Sequence, residues 1–396
     1  MEYIFSDKVS GLKPSMIREI LKHGSNPDVI PLSAGNPAVE SFPVSEMAQI
    51  AAEIFEKDYS KALQYGITEG HTPLREITAE RLKSKFNIGK DFDSTIIVSG
   101  GQQGIDLTCK VLCNEGDTVI CENPSFIGSL NAFRSYNVKL CGVELESDGI
   151  NLEKLEEALK TNKNVKFIYT IPTFHNPSGI TTSLEKRKGI YELARKYNVF
   201  ILEDNPYGEL RYTGEDIPTI KSMDEDGRVI YCGSYSKILS SGIRLGFVCA
   251  PSEIVSKIVV CKQANDVHTN QFFQMIAAEF LTRYSLDEHV EKIRSIYRRK
   301  LGLMLDGAEK HFPKEVSFTR PEGGLFVWCT APEGTDIMKL ASLCIERKLA
   351  IVPGVAFLTD PDIPCNSFRI NFSTPSDEQI VRGMEILGNT LKDILA

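Results

Sequence analysis

Four short segments carry the residues best suited to chemistry. Gly233-Ser234-Tyr235-Ser236-Lys237 is followed closely by Ser240-Ser241-Gly242-Ile243-Arg244-Leu245-Gly246. Hydroxyls, a lysine and an arginine among small residues suit a phosphorylated ligand, because a guanidinium fork matches a phosphate dianion. A lysine in such a setting is a candidate Schiff-base nucleophile; the alternative is an exposed loop lysine. Ser99-Gly100-Gly101-Gln102-Gln103-Gly104 opens a segment of helical period, so its backbone N–H groups can meet an anion, or it is a plain tight turn. It matches neither the dinucleotide glycine pattern nor the P-loop. Asp204-Asn205-Pro206-Tyr207 puts an acid at the end of an apolar run, where it needs a cation or donors, or caps the next segment. The stretch from Ile171 through His175, Asn176 and Pro177 to Gly179 is turn-rich, and Asn176 is either a ligand or a turn residue.

Runs rich in Val, Ile, Phe and Tyr at 94–98, 118–121, 165–170, 199–203 and 228–232 predict strands, with helical periods between them, as at 152–160 and 183–197. Several of these strands are almost continuously apolar, as when helices cover both faces of a parallel sheet. The fold class is α/β with right-handed crossovers. In such a sheet, ligands bind beyond the carboxyl ends of the strands, and all four segments fall there. From 251 to about 310 the pattern is helical, and Arg294, Arg298, Arg299 and Lys300 predict a solvated helix face. Strands at 325–329 and 367–372, with helices near 336–348 and 376–395, predict a smaller α+β unit. Alternation in the last strand puts Phe368, Ile370 and Phe372 on one face and Arg369 on the other, as a surface arginine or a ligand group.

Composition narrows the classes. At about 150 residues per domain, 396 residues predict two to three domains. Apolar residues are 42% and charged residues 25%, the balance of a soluble globular chain. A formal net charge of −8 argues against a nucleic-acid or anionic-membrane partner. The ten cysteines are scattered through apolar runs without a C-x-x-C pair, so they read as small buried hydrophobes; neither a disulfide framework nor a metal site is expected. With no signal-peptide pattern and no apolar run of about 18 residues, a cytoplasmic location is expected.

The segments in order, with Ser33-Ala34-Gly35-Asn36-Pro37, Gln64-Tyr65-Gly66 and Phe368-Arg369-Ile370, give a chain that resembles the pyridoxal-phosphate (PLP) enzymes of fold type I, in the class I/II aminotransferase family. The resemblance covers nearly the whole chain. It implies a large domain, 35–280, with a mostly parallel seven-stranded sheet flanked by helices. It implies a small α+β domain built from 1–34 plus 281–396. The implied enzyme moves an amino group from an L-amino acid to a 2-oxo acid through PLP and pyridoxamine phosphate, as a homodimer with shared active sites.

The resemblance also implies roles. Lys237 forms the Schiff base with PLP and moves the proton. Asp204 pairs with the pyridine nitrogen, Asn176 and Tyr207 bond the ring 3-hydroxyl oxygen, and Phe126 stacks on the ring, where many relatives carry Tyr. Gly101, Gln102, Ser234, Ser236 and Arg244 hold the phosphate. Tyr65 reaches the phosphate of the neighbouring subunit; the alternative is a core aromatic. Arg369 grips the substrate α-carboxylate, with Asn176 and Gly35 beside it. The segment 14–20 resembles the α-aminoadipate and kynurenine aminotransferase branch, in which a mobile N-terminal helix closes over the substrate; Arg18 there meets an acidic side chain or is a solvated arginine. A β-eliminating lyase of the cysteine S-conjugate type on the same fold is the nearest rival. A PLP-binding transcription regulator is disfavoured because the signposts begin by Ser33, and a Rossmann dehydrogenase because its glycine fingerprint is absent.

Overall fold

The computed structural model describes residues 3–10 and 28–396. Its strands in chain order are β1 (Ile30–Pro31), β2 (Asp93–Val98), β3 (Thr118–Asn123), β4 (Lys139–Glu146), β5 (Gly149–Ile150), β6 (Val165–Thr170), β7 (Phe200–Asn205), β8 (Val229–Ser234), β9 (Gly246–Pro251), β10 (Ser317–Phe318), β11 (Phe326–Thr330), β12 (Leu349–Ala350), β13 (Val352–Pro353) and β14 (Ser367–Asn371). The large sheet runs β2-β9-β8-β7-β6-β3-β4-β5. Strands β4, β3, β6, β7 and β8 are parallel neighbours, whereas β9 runs antiparallel to both β8 and β2. Seven long strands are therefore present as expected, with β5 adding a two-residue edge. Strand β4 had no clear signal: its sequence Lys-Leu-Cys-Gly-Val-Glu-Leu-Glu buries only Val143, because it lies near the sheet edge.

Side-chain alternation sends successive residues to opposite faces. Along β6, Phe167 and Tyr169 join a core with Ile105 and Leu107 of the helix Gly101–Leu112 and Ile258 of the helix Ser252–Asn265. Ile168 between them joins the opposite core, with Leu155 of Leu152–Thr161 and Ile190 of Leu184–Tyr197. Asn151 and Ser183 cap those two helices by accepting from Lys154 N at 2.9 Å and Lys186 N at 3.3 Å.

The helical stretch after 251 is three helices, Ser252–Asn265, Gln271–Arg283 and Leu286–His311, because Asn270 and Ser285 act as N-caps within an otherwise continuous period. The expected solvated basic face is corrected. Lys300 is buried, donating to Pro375 O at 2.7 Å and meeting Glu40 Oε1 at 3.0 Å. Arg294 and Arg298 donate to the carbonyls of Glu209 and Tyr212 at 2.8 and 3.1 Å. Lys300, Arg294 and Arg298 thus fasten the long helix to its neighbours, while Arg298 and Arg299 both stay exposed, Arg299 beside Asp377.

The second sheet runs β10-β11-β14-β13, all antiparallel. Strand β14 is flanked on both sides, which is why Arg369 is buried rather than a surface residue. The early β1 pairs in parallel with the late β12, joining the N-terminal arm to the C-terminal third. Among the described residues, no helix is long and apolar enough to cross a membrane.

Candidate active site

A cavity of about 340 Å³ opens at the carboxyl ends of β6, β7 and β8, between them and the β11–β14 sheet. Every candidate site residue except Tyr65 and Arg18 lines it. Tyr65 is 80% exposed and lies outside the cavity, its ring edge-on to His268 with centroids 5.8 Å apart; it is not a core aromatic. Arg18 lies outside the described residues.

Lys237 follows the end of β8, and its Nζ donates to Gly35 O at 2.8 Å. Burial within the cavity wall, with Arg244 and Arg369 adding like charge, pulls its pKa down to about 8. Gly35 also lies close under Phe326; a Cβ there would meet that ring at 2.8 Å.

At one end of the cavity, the helix Gly101–Leu112 starts directly after Gly100, whose φ of +80° requires glycine. A Cβ on Gly100 would collide with the Arg244 guanidinium. The N–H groups of the first helical turn have no intrahelical acceptor and carry the positive end of the helix dipole. Arg244 Nη2 donates to Ser99 O at 3.3 Å and Nη1 to Ser241 O at 3.2 Å, with Ser236 Oγ at 3.5 Å. Ser234 Oγ accepts from Ser236 N at 3.1 Å, which sets both serines in one turn. Gln102 is tied back to Gly128 O at 2.9 Å, while Phe126 lies just ahead of the helix Ile127–Arg134.

At the cavity floor, Asp204 is one residue inside the end of β7, which extends through Asn205 rather than stopping at Glu203. Its Oδ2 accepts from the Tyr169 hydroxyl at 2.8 Å, and Tyr169 accepts from Ser129 Oγ at 2.6 Å. Burial pushes the Asp204 pKa up to about 7, with Glu122 adding to the rise and the Tyr169 bond opposing it. Glu122 is itself fully buried, taking bonds from Thr170 Oγ1 at 2.7 Å and Ile171 N at 2.9 Å, with His175 Nε2 at 3.2 Å. Burial works against its ionised form, but His175 and the donors outweigh that and hold the carboxyl below its ordinary value.

The opposite wall carries Arg369. Its Nη1 donates to Asn176 Oδ1 and its Nη2 to Ser33 O, both at 2.8 Å. The guanidinium lies between the rings of Phe326 and Phe357, 4.2 and 4.8 Å from their centroids. Burial draws its pKa down to about 10, and its Nε is buried with no acceptor among the described residues. Asn176 Nδ2 in turn donates to the Tyr207 hydroxyl at 3.4 Å, and Tyr207 stands edge-on to Phe326. Burial also raises the Tyr207 phenol.

Sequence reasoning missed Phe326, Tyr169, Ser129 and the Glu122–His175 pair. The usable signal was a polar group on an apolar strand, as for Glu122 in Val119-Ile120-Cys121-Glu122 and Tyr169 two residues after Phe167. Phe326 carried none, since an aromatic in a strand reads as core.

The family model described as "Aminotransferase class I and II" matches residues 27–387. An aromatic-amino-acid aminotransferase 1 of Thermococcus litoralis is 42% identical over 396 residues, covering 99% of this chain and 95% of that protein. A 2-aminoadipate transaminase of Thermus thermophilus is 36% identical, covering 99% and 97%. Among solved structures, a Pyrococcus horikoshii kynurenine aminotransferase, crystallised with pyridoxamine phosphate, superposes with a TM-score of 0.95 at 39% identity, over 99% of this chain and 98% of that one.

Proposed function

The chain belongs to the class I and II aminotransferase family, and from that premise we propose the part that each residue of the cavity plays. The protein is a PLP-dependent enzyme of fold type I that transfers an amino group between an amino acid and a 2-oxo acid. When bound, PLP supplies the carbonyl carbon that takes the amino group and a ring that accepts electrons from the Cα–H bond.

The residues present fit that cofactor. Among the described lining residues the charged groups are Lys237, Arg244 and Arg369 against Asp204 alone, so an anionic ligand balances the site. No described carboxylate lies within ion-pair reach of Arg244, and Asp204 accepts only from a neutral hydroxyl. Arg244, Ser234, Ser236 and the amides of Gly101 and Gln102 would hold the phosphate. Asp204 would face the ring nitrogen, which gives the buried carboxylate its missing cation. Asn176 and Tyr207 would bond the ring hydroxyl oxygen, and Phe126 would cover one ring face.

Lys237 Nζ would bond the cofactor and, once released, would take the proton from the substrate Cα and deliver it to the cofactor carbon that carries the amino group. The observation that carries the reading is that Lys237 lines one cavity with Asp204, Asn176, Tyr207, Arg244 and Arg369; burial and the two arginines also lower its pKa to about 8, which favours the neutral amine. Arg369 turns its two Nη groups to the α-carboxylate. The Phe326 and Phe357 rings keep water from that guanidinium, so the fork orients the Cα–H bond strongly.

The proposed donor side chain is aromatic or otherwise bulky and apolar. Ile105, Phe126, Ile127 and Phe326 line the cavity, and two of the relatives named above are an aromatic-amino-acid and a kynurenine aminotransferase, whereas the third is named for aminoadipate, whose side chain is acidic. Arg18 remains a candidate for an acidic side chain. We further propose a large unit over 35–280, a small unit from 1–34 plus 281–396, a cytoplasmic location and a homodimer in which Tyr65 serves the partner's phosphate site. Phe55, Tyr59, Leu63, Tyr65 and Ile67 form an exposed apolar group of the kind a second copy would cover.

Half-reactions test this reading. The PLP form mixed with one amino acid at a time should give stoichiometric 2-oxo acid and pyridoxamine phosphate, fastest with aromatic donors. Release of ammonia and pyruvate from a cysteine S-conjugate as the main reaction would favour the lyase instead.

A further inference from the structure

Behind the phosphate end lies a polar cluster that forms no part of the cavity wall. Lys262, in the last turn of the helix Ser252–Asn265, has a fully buried side chain. Its Nζ donates to the two Asp266 carboxylate oxygens at 2.7 and 2.9 Å and to Gln103 Oε1 at 3.1 Å. Asp266 Oδ2 also accepts from Ser99 Oγ at 2.7 Å and from Gln103 Nε2 at 2.8 Å. Gln103 Oε1 accepts from Ser99 N at 2.8 Å. Ser99 is thus held at both its amide and its hydroxyl, and its carbonyl oxygen is the one that accepts from Arg244 Nη2.

The backbone beyond the pair is strained. Val267, directly after Asp266, has φ +64°, a left-handed conformation that a β-branched residue keeps only where its surroundings fix it. Two residues on, Thr269 Oγ1 returns to Ser99 Oγ at 3.1 Å, so the turn grips Ser99 from both sides. The lysine is buried and Asp266 is partly exposed; a desolvated ion pair is a weak source of stability compared with apolar packing of the same volume, so stability alone is a poor reason for this one. What it does control is geometry. Ser99 immediately precedes Gly100, whose left-handed turn aims the amides of Gly101 and Gln102, and its carbonyl sets the direction of the Arg244 guanidinium.

We propose that Lys262 and Asp266 are positioning residues for the cofactor phosphate, acting through Ser99 and Gln103 on Arg244 and on the first turn of the helix Gly101–Leu112. The inference rests on the reading that those groups hold the phosphate. Neither Lys262 nor Asp266 lines the cavity.

The test measures dissociation constants of the apoprotein for PLP, for pyridoxal, which lacks the phosphate, and for inorganic phosphate. Asp266→Asn should weaken PLP and inorganic phosphate by about ten-fold or more, the worth of a charge-assisted hydrogen bond, and leave pyridoxal unchanged. Because Asp266→Asn strands a buried lysine charge, the double variant Lys262→Met/Asp266→Asn is measured beside it, with thermal unfolding as the check on folding. It should show the same selective loss. Equal weakening of PLP and pyridoxal, or unchanged phosphate affinity in a folded variant, would overturn the positioning role. Arg244→Met separates the two readings. If it too leaves phosphate affinity unchanged, the phosphate site itself is wrong; if it alone loses affinity, only the role of the Lys262–Asp266 pair falls.

Discussion

Tyr169 donates its hydroxyl to Asp204 Oδ2 at 2.8 Å, and that neutral donor is the only side-chain partner of the carboxylate among the described residues. A buried acid so placed is held ready for a cation, and in the protein alone it is costly. Its pKa rises to about 7, so the folded apoprotein keeps a proton that the unfolded chain releases. Stability from this group is present below about pH 4 and is lost as pH rises toward 7. Asp204→Asn keeps an acceptor for Tyr169 without the charge. The apoprotein variant should therefore be more stable than wild type at pH 8, by about 1–4 kcal/mol, with the difference vanishing near pH 4. Denaturation midpoints at the two pH values check this; a less stable variant at pH 8 would contradict it.

Lys237 carries the opposite shift. Burial, Arg244 and Arg369 lower its pKa to about 8, and only the neutral amine attacks a carbonyl. The rate of PLP capture by the apoprotein should climb about ten-fold per pH unit below 8 and level off above it. Stopped-flow absorbance across pH 6 to 10 gives the midpoint. A rise continuing to the ordinary lysine range would mean that the amine is not perturbed.

Arg369 is aligned by Asn176 and Ser33, so replacing its fork should affect carboxylate recognition specifically. Arg369→Lys is expected to raise KM for both the amino acid and the 2-oxo acid by about 100-fold, since a point charge cannot make two parallel bonds. The half-reaction with an amine that has no carboxylate should change little. A loss as large with the carboxylate-free amine as with the amino acid would assign the residue to structure.

Much of this arrangement is written in the sequence. Lys237, Asp204 and Asn176 each follow or end an apolar run, and the open α/β rule puts such positions at the ligand end of the sheet. Arg369 was ambiguous because alternation along one strand does not tell whether the other face meets solvent; β11 and β13 on its two sides decide it. The basic run ending at Lys300 misled for a related reason: a charged helix face looks the same whether it meets water or the carbonyls of Ser373 and Pro375. Strand β4 and the breaks at Asn270 and Ser285 were hidden by edge polarity and by caps inside a helical period. The pairings Tyr169–Asp204, Glu122–His175 and Lys262–Asp266–Ser99 depend on how elements pack. No spacing along the chain encodes them.

Shared active sites make a quantitative claim about mixtures. If Tyr65 serves the partner, Tyr65→Ala and Lys237→Ala subunits complement each other, because the hybrid dimer holds one site with both native residues. Random reassortment should restore about a quarter of wild-type activity, from half the dimers with one of two sites intact. Activity that never exceeds the sum of the separate variants would confine Tyr65 to its own subunit.

The central claim is that Lys237 is the cofactor lysine, and borohydride reduction of the PLP-loaded enzyme tests it directly. Reduction makes the lysine–cofactor link permanent, and mass analysis of a digest locates it. The phosphopyridoxyl group is expected on the peptide containing Lys237 and on no other lysine. Its appearance at a different lysine, or a holoenzyme that takes no label at Lys237, would contradict the account.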